Sequence, residues 1–288
     1  MRAQPVTAVC TDHGEGPVWN PETGQLLWVD MLAGDVVSMA PPTGHVSRTH
    51  VGAVAAVLRP TSSGGLVLAV ERGFAFLPPG QQEPVTLPEL WQDTGVRMND
   101  GGCDPQGRFY AGSMAYDEGP GRGRLWRLDH DGTATAVLDG VTISNGLVWS
   151  HDGHSAYYVD TPTQRVDVFD FDAASGTLHN RRPLVSIPEQ AGSPDGMTLD
   201  EAGRLWVALW GGSAVHCYDQ QGQLLEVVDV PARQVTACAF GGPDLADLYI
   251  TTSRTGLTDP EPLAGAVFSV RPGTRGVPVL PFTGPLPT

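Results

Sequence analysis

Short apolar–polar alternations, each introduced by a turn, recur along the whole chain. The first is Leu26-Leu27-Trp28-Val29, after Thr23-Gly24. Others follow as Leu66-Val67-Leu68-Ala69 after Gly64-Gly65, Phe109-Tyr110-Ala111 after Gly107, and Ala156-Tyr157-Tyr158-Val159 after Asp152-Gly153. The last two are Leu205-Trp206-Val207-Ala208 after Gly203, and Leu248-Tyr249-Ile250-Thr251 after Asp244. The period of two residues marks half-buried strands, and the spacing of about 40–50 residues is that of a propeller blade. A second strand-like run follows most copies, at 35–39, 73–77, 123–128, 165–171, 214–218 and 266–270. Long helical periodicity is absent, and the pattern allows one short helical turn at Leu87 to Gln92. The pattern predicts an all-β chain: a six-bladed β-propeller of four-stranded antiparallel sheets, one domain over residues 1–288. Ring closure is expected from Val6 to Cys10 pairing with Ala266 to Val270.

Composition narrows the partners. The formal net charge is -15 and every non-histidine base is Arg, with no Lys. Phosphate backbones and anionic membranes need basic patches, so neither nucleic acid nor a membrane surface is expected. Without lysine, a Schiff-base mechanism and a P-loop are excluded. The four cysteines, Cys10, Cys103, Cys217 and Cys238, contain no C-x-x-C pair. They suit unpaired thiols in a reducing compartment. With no signal-like run in the first ten residues, the expected location is the cytoplasm, and a single acidic propeller suits a monomer.

Aligning the repeats on the turn after each inner strand places polar residues in register. Glu15 of Glu15-Gly16-Pro17-Val18-Trp19, Asn99 of Asn99-Asp100-Gly101-Gly102, Asn145 of Asn145-Gly146-Leu147-Val148 and Asp195 of Asp195-Gly196-Met197-Thr198 share one position. Val54 and Thr236 hold it in the remaining repeats. Any one Asn-Gly or Asp-Gly dipeptide is an ordinary turn signal. These four, however, come before the first strand of the repeat, where the hairpin turns come after it. In a closed ring, equivalent positions face one centre. Two carboxylates and two amides meeting there form an all-oxygen set suited to a hard divalent ion, Ca²⁺ first, with Mg²⁺ or Mn²⁺ next and Zn²⁺ as a further alternative. Four protein ligands leave coordination positions for water or substrate.

Arg97 lies two residues before Asn99, on the same face if extended, and its fork suits substrate hydroxyls or a carboxylate, with an ordinary surface ion pair an equal alternative. Asp117 follows the second strand of the third repeat and could reach the mouth, although the pattern alone favours a solvated loop acid. His151 and His154 flank a hairpin turn and read as solvated. Trp210 reads equally as a pocket wall or as core. No G-x-S-x-G motif supports a serine nucleophile.

The chain resembles the gluconolactonase/regucalcin family, also called the senescence marker protein family. The resemblance rests on Gly14-Glu15-Gly16-Pro17-Val18-Trp19, Arg97-Met98-Asn99-Asp100-Gly101, Asp104-Pro105-Gln106-Gly107-Arg108-Phe109-Tyr110-Ala111-Gly112, Ser144-Asn145-Gly146-Leu147, Pro194-Asp195-Gly196-Met197 and Thr236-Ala237-Cys238-Ala239-Phe240-Gly241-Gly242. These stretches run in order over most of the chain. The resemblance implies a six-bladed propeller with one catalytic divalent ion held by Glu15, Asn145 and Asp195. It implies that Asp195 also moves a proton, that Arg97 and Asn99 contact substrate, and that Asn99 touches the ion in some relatives. Regucalcin-type members carry Glu where this chain has Asp117, so the shorter side chain alters sugar preference at that contact.

The expected reaction is metal-dependent hydrolysis of a sugar lactone, such as a gluconolactone-like aldonolactone, to its aldonic acid. Two rivals use the same features. Phosphotriester hydrolysis would keep the site and change the substrate. A non-catalytic cation-binding propeller would lack a substrate-sized pocket, and no WD or kelch signature favours an interaction module.

Overall fold

The computed structural model describes residues 1–41 and 43–285. Pro42 and the last three residues of the expected 1–288 unit therefore lie outside the description. Almost all of the regular structure is antiparallel strand. Four sheets have four strands each, in chain order. They are Gly14–Asn20, Gln25–Asp30, Asp35–Ala40 and His45–His50; Ala55–Pro60, Leu66–Val70, Gly73–Leu77 and Val85–Thr86; Val96–Cys103, Phe109–Ala115, Gly123–Leu128 and Ala134–Val141; and Ser144–Trp149, Ser155–Asp160, Arg165–Asp172 and Thr177–Ser186.

The remaining strands form an eight-stranded assembly made of two four-strand runs. One run is Ser193–Leu199, Leu205–Trp210, Ala214–Tyr218 and Leu224–Asp229. The other is Gln234–Gly241, Asp247–Ser253, Phe268–Val270 and the N-terminal Gln4–Pro5. A single residue pair, Trp210 with Gln234, joins them. The first strands of successive runs touch in a closed cycle: Gly14–Asn20, Ala55–Pro60, Val96–Cys103, Ser144–Trp149, Ser193–Leu199, Gln234–Gly241, and back to Gly14–Asn20.

Sheets stacked side by side bury both faces. The second strand of the fifth run is buried from Leu205 through Leu209 without alternation, as expected for a strand covered on both sides. Aromatic pairs bridge neighbouring sheets: Phe74 with Phe109 at 5.7 Å, Tyr110 with Trp149 at 5.0 Å, Trp206 with Phe240 at 5.8 Å, and Trp19 with Tyr249 at 6.3 Å. Two hairpins share one corner. Asp104 accepts the backbone N–H groups of Gln106 and Arg108, the Arg108 Nε–H and the Tyr110 hydroxyl. Asp200 does the same for Ala202, Arg204, Arg204 Nε and Trp206 Nε1. Gly107 and Gly203 complete these corners at φ +80° and +75°, where a Cβ would be strained.

Two sequence expectations shift. Residues 87–92 are not helical; Leu87 and Leu90 instead donate to Phe74 O and Arg72 O beside the strand Gly73–Leu77. Pro84 and Pro88 hold this stretch extended, because each ring restricts the residue before it and offers no N–H. The closing ladder is Gln4–Pro5 on Phe268–Val270. Val6 and Cys10 add single bonds to Val267 O and Gly265 O beyond it. A C-terminal strap then crosses the underside. Glu201 donates to Arg275 O, Gly276 to Leu245 O, Phe282 to Pro60 O and Thr283 to Gly107 O. Among the described residues no helix is long and apolar enough to cross a membrane, and all four cysteines are free.

Candidate functional site

Each first strand loses register with its neighbour at one place. The breaks lie between Glu15 and Val18, Ala55 and Val57, Met98 and Gly101, Ser144 and Leu147, Pro194 and Met197, and Val235 and Ala237. Such β-bulges bend a strand and re-aim side chains. The in-register polar residues therefore sit inside the strands, at or beside their bulges, and not before them as the sequence suggested. The glycines after them are not turn residues either. A Cβ on Gly146 would lie 2.8 Å from Asp195 O, and one on Gly196 would lie 3.0 Å from Thr236 O. Glycine here lets neighbouring inner strands approach closely.

Glu15, Asn99, Asn145 and Asp195 are all buried. Arg97 Nη1 donates to Asn99 Oδ1 at 2.7 Å. Asn99 Nδ2 donates to Asn145 Oδ1 at 3.1 Å and to Ser144 O at 2.8 Å. Asn145 Nδ2 donates to Thr161 Oγ1, which donates to Pro194 O, each at 2.8 Å. One hydrogen-bonded arc thus runs from Arg97 to the strand that carries Asp195. Glu15 Oε2 accepts only its own neighbour Gly16 N–H, at 3.2 Å. Asp195 Oδ1 is buried and has no hydrogen-bond partner among the described residues.

The electrostatics reflect this crowding. Burial raises the Glu15 carboxyl to about 8, and the charge of Asp100 adds to the effect. Burial holds Asp195 well above the usual carboxylate range, with Glu15 and Asp100 contributing in that order. Asp100 itself is raised by burial. Sequence reasoning passed over Asp100, which looked like part of a turn. It also passed over His13. The His13 Nε2 lies 3.9 Å from Glu15 Oε1, and Nδ1 pairs with Ser253 Oγ at 2.7 Å. Burial, then Arg97, lowers His13 to about 3, so its imidazole is neutral. The Asn-Asp-Gly and His-x-Glu spacings were the available signals.

The other candidates are placed as follows. Thr236 Oγ1 is spent on Gly14 O at 2.6 Å, tying the last run to the first. Val54 is buried in the apolar core. Asp117 stands on the exposed loop, paired with Arg122 at 2.9 Å and accepting Gly119 N–H, so it is not brought into the buried cluster. His151 and His154 are exposed on a hairpin at 150–155. Trp210 packs edge-on against His13 with ring centroids 5.9 Å apart.

The donor set fits a hard divalent cation. Three buried acids with raised pKa values, and an orphaned carboxylate oxygen, make a place where ionisation is costly until a cation balances it. Among the described residues, no three His, Cys, Asp or Glu side chains converge as a metal cluster by themselves. A cation here therefore needs the amide oxygens of Asn99 and Asn145 as well as the carboxylates. A cavity of about 560 Å³ lies further along the same inner strands, beneath the strap at Val277 to Leu280. Its one charged lining residue is Arg59. Convergent polar groups, not cavity size, mark the candidate site.

The profile of the SMP-30/Gluconolactonase/LRE-like region matches residues 13–254. YvrE of Bacillus subtilis (strain 168), assigned as a sugar lactone lactonase, is 38% identical over 279 residues, covering 94% of this chain and 95% of that protein. Regucalcin of Danio rerio is 36% identical over 279 residues, with the same coverage of 94% and 95%. Among solved structures, the calcium-binding protein regucalcin from Agrobacterium tumefaciens str. C58 superposes with a TM-score of 0.85 at 27% identity, covering 98% of this chain and 94% of that one.

Proposed function

The chain belongs to the SMP-30/gluconolactonase/LRE-like family, and from that premise we propose that it is a metal-dependent lactonase that opens a sugar lactone to its aldonic acid. The proposed scaffold is a single six-bladed propeller. It is supported by the closed cycle of first strands and by the division of the eight-stranded assembly at one residue pair.

Glu15, Asn145 and Asp195 would hold the ion, with Asn99 beside them. Ca²⁺ is the first choice, since all four donors are oxygens and the related Agrobacterium protein is described as calcium-binding. Such an ion, when bound, supplies Lewis acidity toward a carbonyl oxygen and toward water. The residues of the chain supply the rest. Water adds to the acyl carbon and loses a proton to Asp195 Oδ1, the one buried carboxylate oxygen of the set left without a partner. The ring C–O bond breaks, and the departing alkoxide takes that proton back from Asp195, giving the hydroxy acid and restoring the carboxylate. Arg97, with Asn99 oriented by its Nη1, fixes the oxygens of the ring before reaction. A contact from Asp117 would first require its release from Arg122.

The unpartnered Asp195 oxygen, set among acids and amides from separate sheets, carries this reading. The test is acid release from a panel of aldonolactones, with and without a chelator, for wild type and Asp195→Ala. The expected results are chelator-sensitive turnover in wild type and a loss of about 10²–10⁴-fold in the variant. Full turnover by Asp195→Ala would end the assignment.

A further inference from the structure

Arg97 is buried, yet it forms no ion pair among the described residues. Its Nη1 is spent inward, on Asn99 Oδ1 at 2.7 Å, Met98 O at 3.0 Å and the Met31 sulfur at 3.0 Å. The acids whose charge reaches it are Glu15, Glu118 and Asp195, and Glu71 meets it only through a shared neighbour. Glu71 belongs to the turn after Leu66–Val70, and its carbonyl accepts Met98 N–H at 2.8 Å, so it lies beside the strand that carries Arg97. Between the two stands Tyr116. Its ring lies over the Arg97 guanidinium at 5.8 Å. Its hydroxyl donates to Glu71 Oε1 at 2.8 Å, and its backbone N–H donates to Gly95 O at 2.9 Å. The other Glu71 oxygen accepts from Arg72 at 3.3 Å. Tyr116 is 45% exposed, so burial alone does not hold the ring there.

We propose that Tyr116 is a positioning residue that keeps Glu71 off Arg97, so that the guanidinium charge stays free for the oxygens of the substrate. An aromatic ring attracts a cation without neutralising it. A carboxylate would pair with the fork in two places and consume its donors. Tyr116 satisfies Glu71 through its hydroxyl and covers Arg97 with its face, meeting both demands with one side chain. Phosphorylation or any other chemistry at Tyr116 is not part of this role.

The inference rests on the lactonase reading, and a double-mutant cycle separates the two. Tyr116→Ala opens the path from Glu71 to Arg97, and KM for the lactone is expected to rise about tenfold with kcat within twofold. The double variant Tyr116→Ala/Glu71→Gln removes the competing carboxylate and is expected to recover most of that loss. Tyr116→Phe keeps the ring between the two groups and is expected to stay within about threefold of wild type. A merely structural Tyr116 gives no recovery in the double variant, and that result, or an unchanged KM in Tyr116→Ala, overturns the proposal. Absence of lactone turnover in wild type would instead refute the function itself. Thermal melts of all variants check folding.

Discussion

Glu15 and Asp195 lie in one buried field, together with Asp100, and the nearby Arg97 offsets only a small part of what burial and mutual repulsion impose on them. A carboxyl whose folded pKa is raised disfavours its own ionisation in the folded state. The stability linked to Glu15 is therefore complete below about 4.5 and is lost as the pH rises toward about 8. Chelated protein is expected to show a urea midpoint that falls across that window. Added Ca²⁺ should restore the midpoint at the high end by favouring the ionised form, and Glu15→Gln should flatten the chelated profile. Superimposable profiles for chelated and Ca²⁺-loaded wild type would count against a cation at this place. At this scale the sequence revealed much, because four oxygen side chains recur at one repeat position and need no contact map to be seen. Asp100 and His13 were hidden because each sits one or two residues from a more conspicuous neighbour. Where Asp117 ends up depends on Arg122 and the fold of an exposed loop, which no periodicity encodes.

The hairpin corner explains why the strand–turn–strand rhythm was so legible. The turn glycine and the alternation beyond it are local requirements of a tight connection, so they appear in the sequence as they appear in space. The bulge is different. Its glycines serve the neighbouring strand, at Gly146 against Asp195 and at Gly196 against Thr236, and a single chain read alone cannot tell that use from a turn. The corner also makes a graded prediction. Asp200 is fully buried and accepts four hydrogen bonds, including one from Arg204 and one from Trp206. Asp200→Ala leaves that guanidinium and indole without their acceptor and should cost about 3–5 kcal/mol. Asp219 occupies a similar turn, half-exposed, and caps only Gln221 and Gln223. Asp219→Ala should cost about 1 kcal/mol. Equal losses in chemical denaturation would show that burial of the corner is not what gives it its strength.

Ring closure was visible in outline because its strands alternate like the others, although the ladder proper falls at Gln4–Pro5 and not at 6–10. The strap was not visible, since residues 275–283 are proline-rich and aperiodic and bond to partners far away in the chain. Its physical role follows from where it is tied. Arg275 O, Gly276, Phe282 and Thr283 bond to segments near Asp200, Leu245, Pro60 and Gly107, which belong to four different four-strand runs. Phe282 is fully buried and packs on Phe76 with centroids 5.6 Å apart. A cyclic arrangement of sheets has no central covalent axis, so a segment that spans several of them resists their separation as a unit. Phe282→Ala should remove about 3–5 kcal/mol of stability by leaving a cavity between strap and sheet. Because the strap lies further along the inner strands than the acids and amides, lactone KM at low temperature should remain unchanged. Calorimetry and kinetics on the same variant check both halves: a lowered melting temperature with an unaltered KM supports a strap that holds the cycle of sheets together, and a shifted KM would mean that the two ends of the inner strands are mechanically coupled.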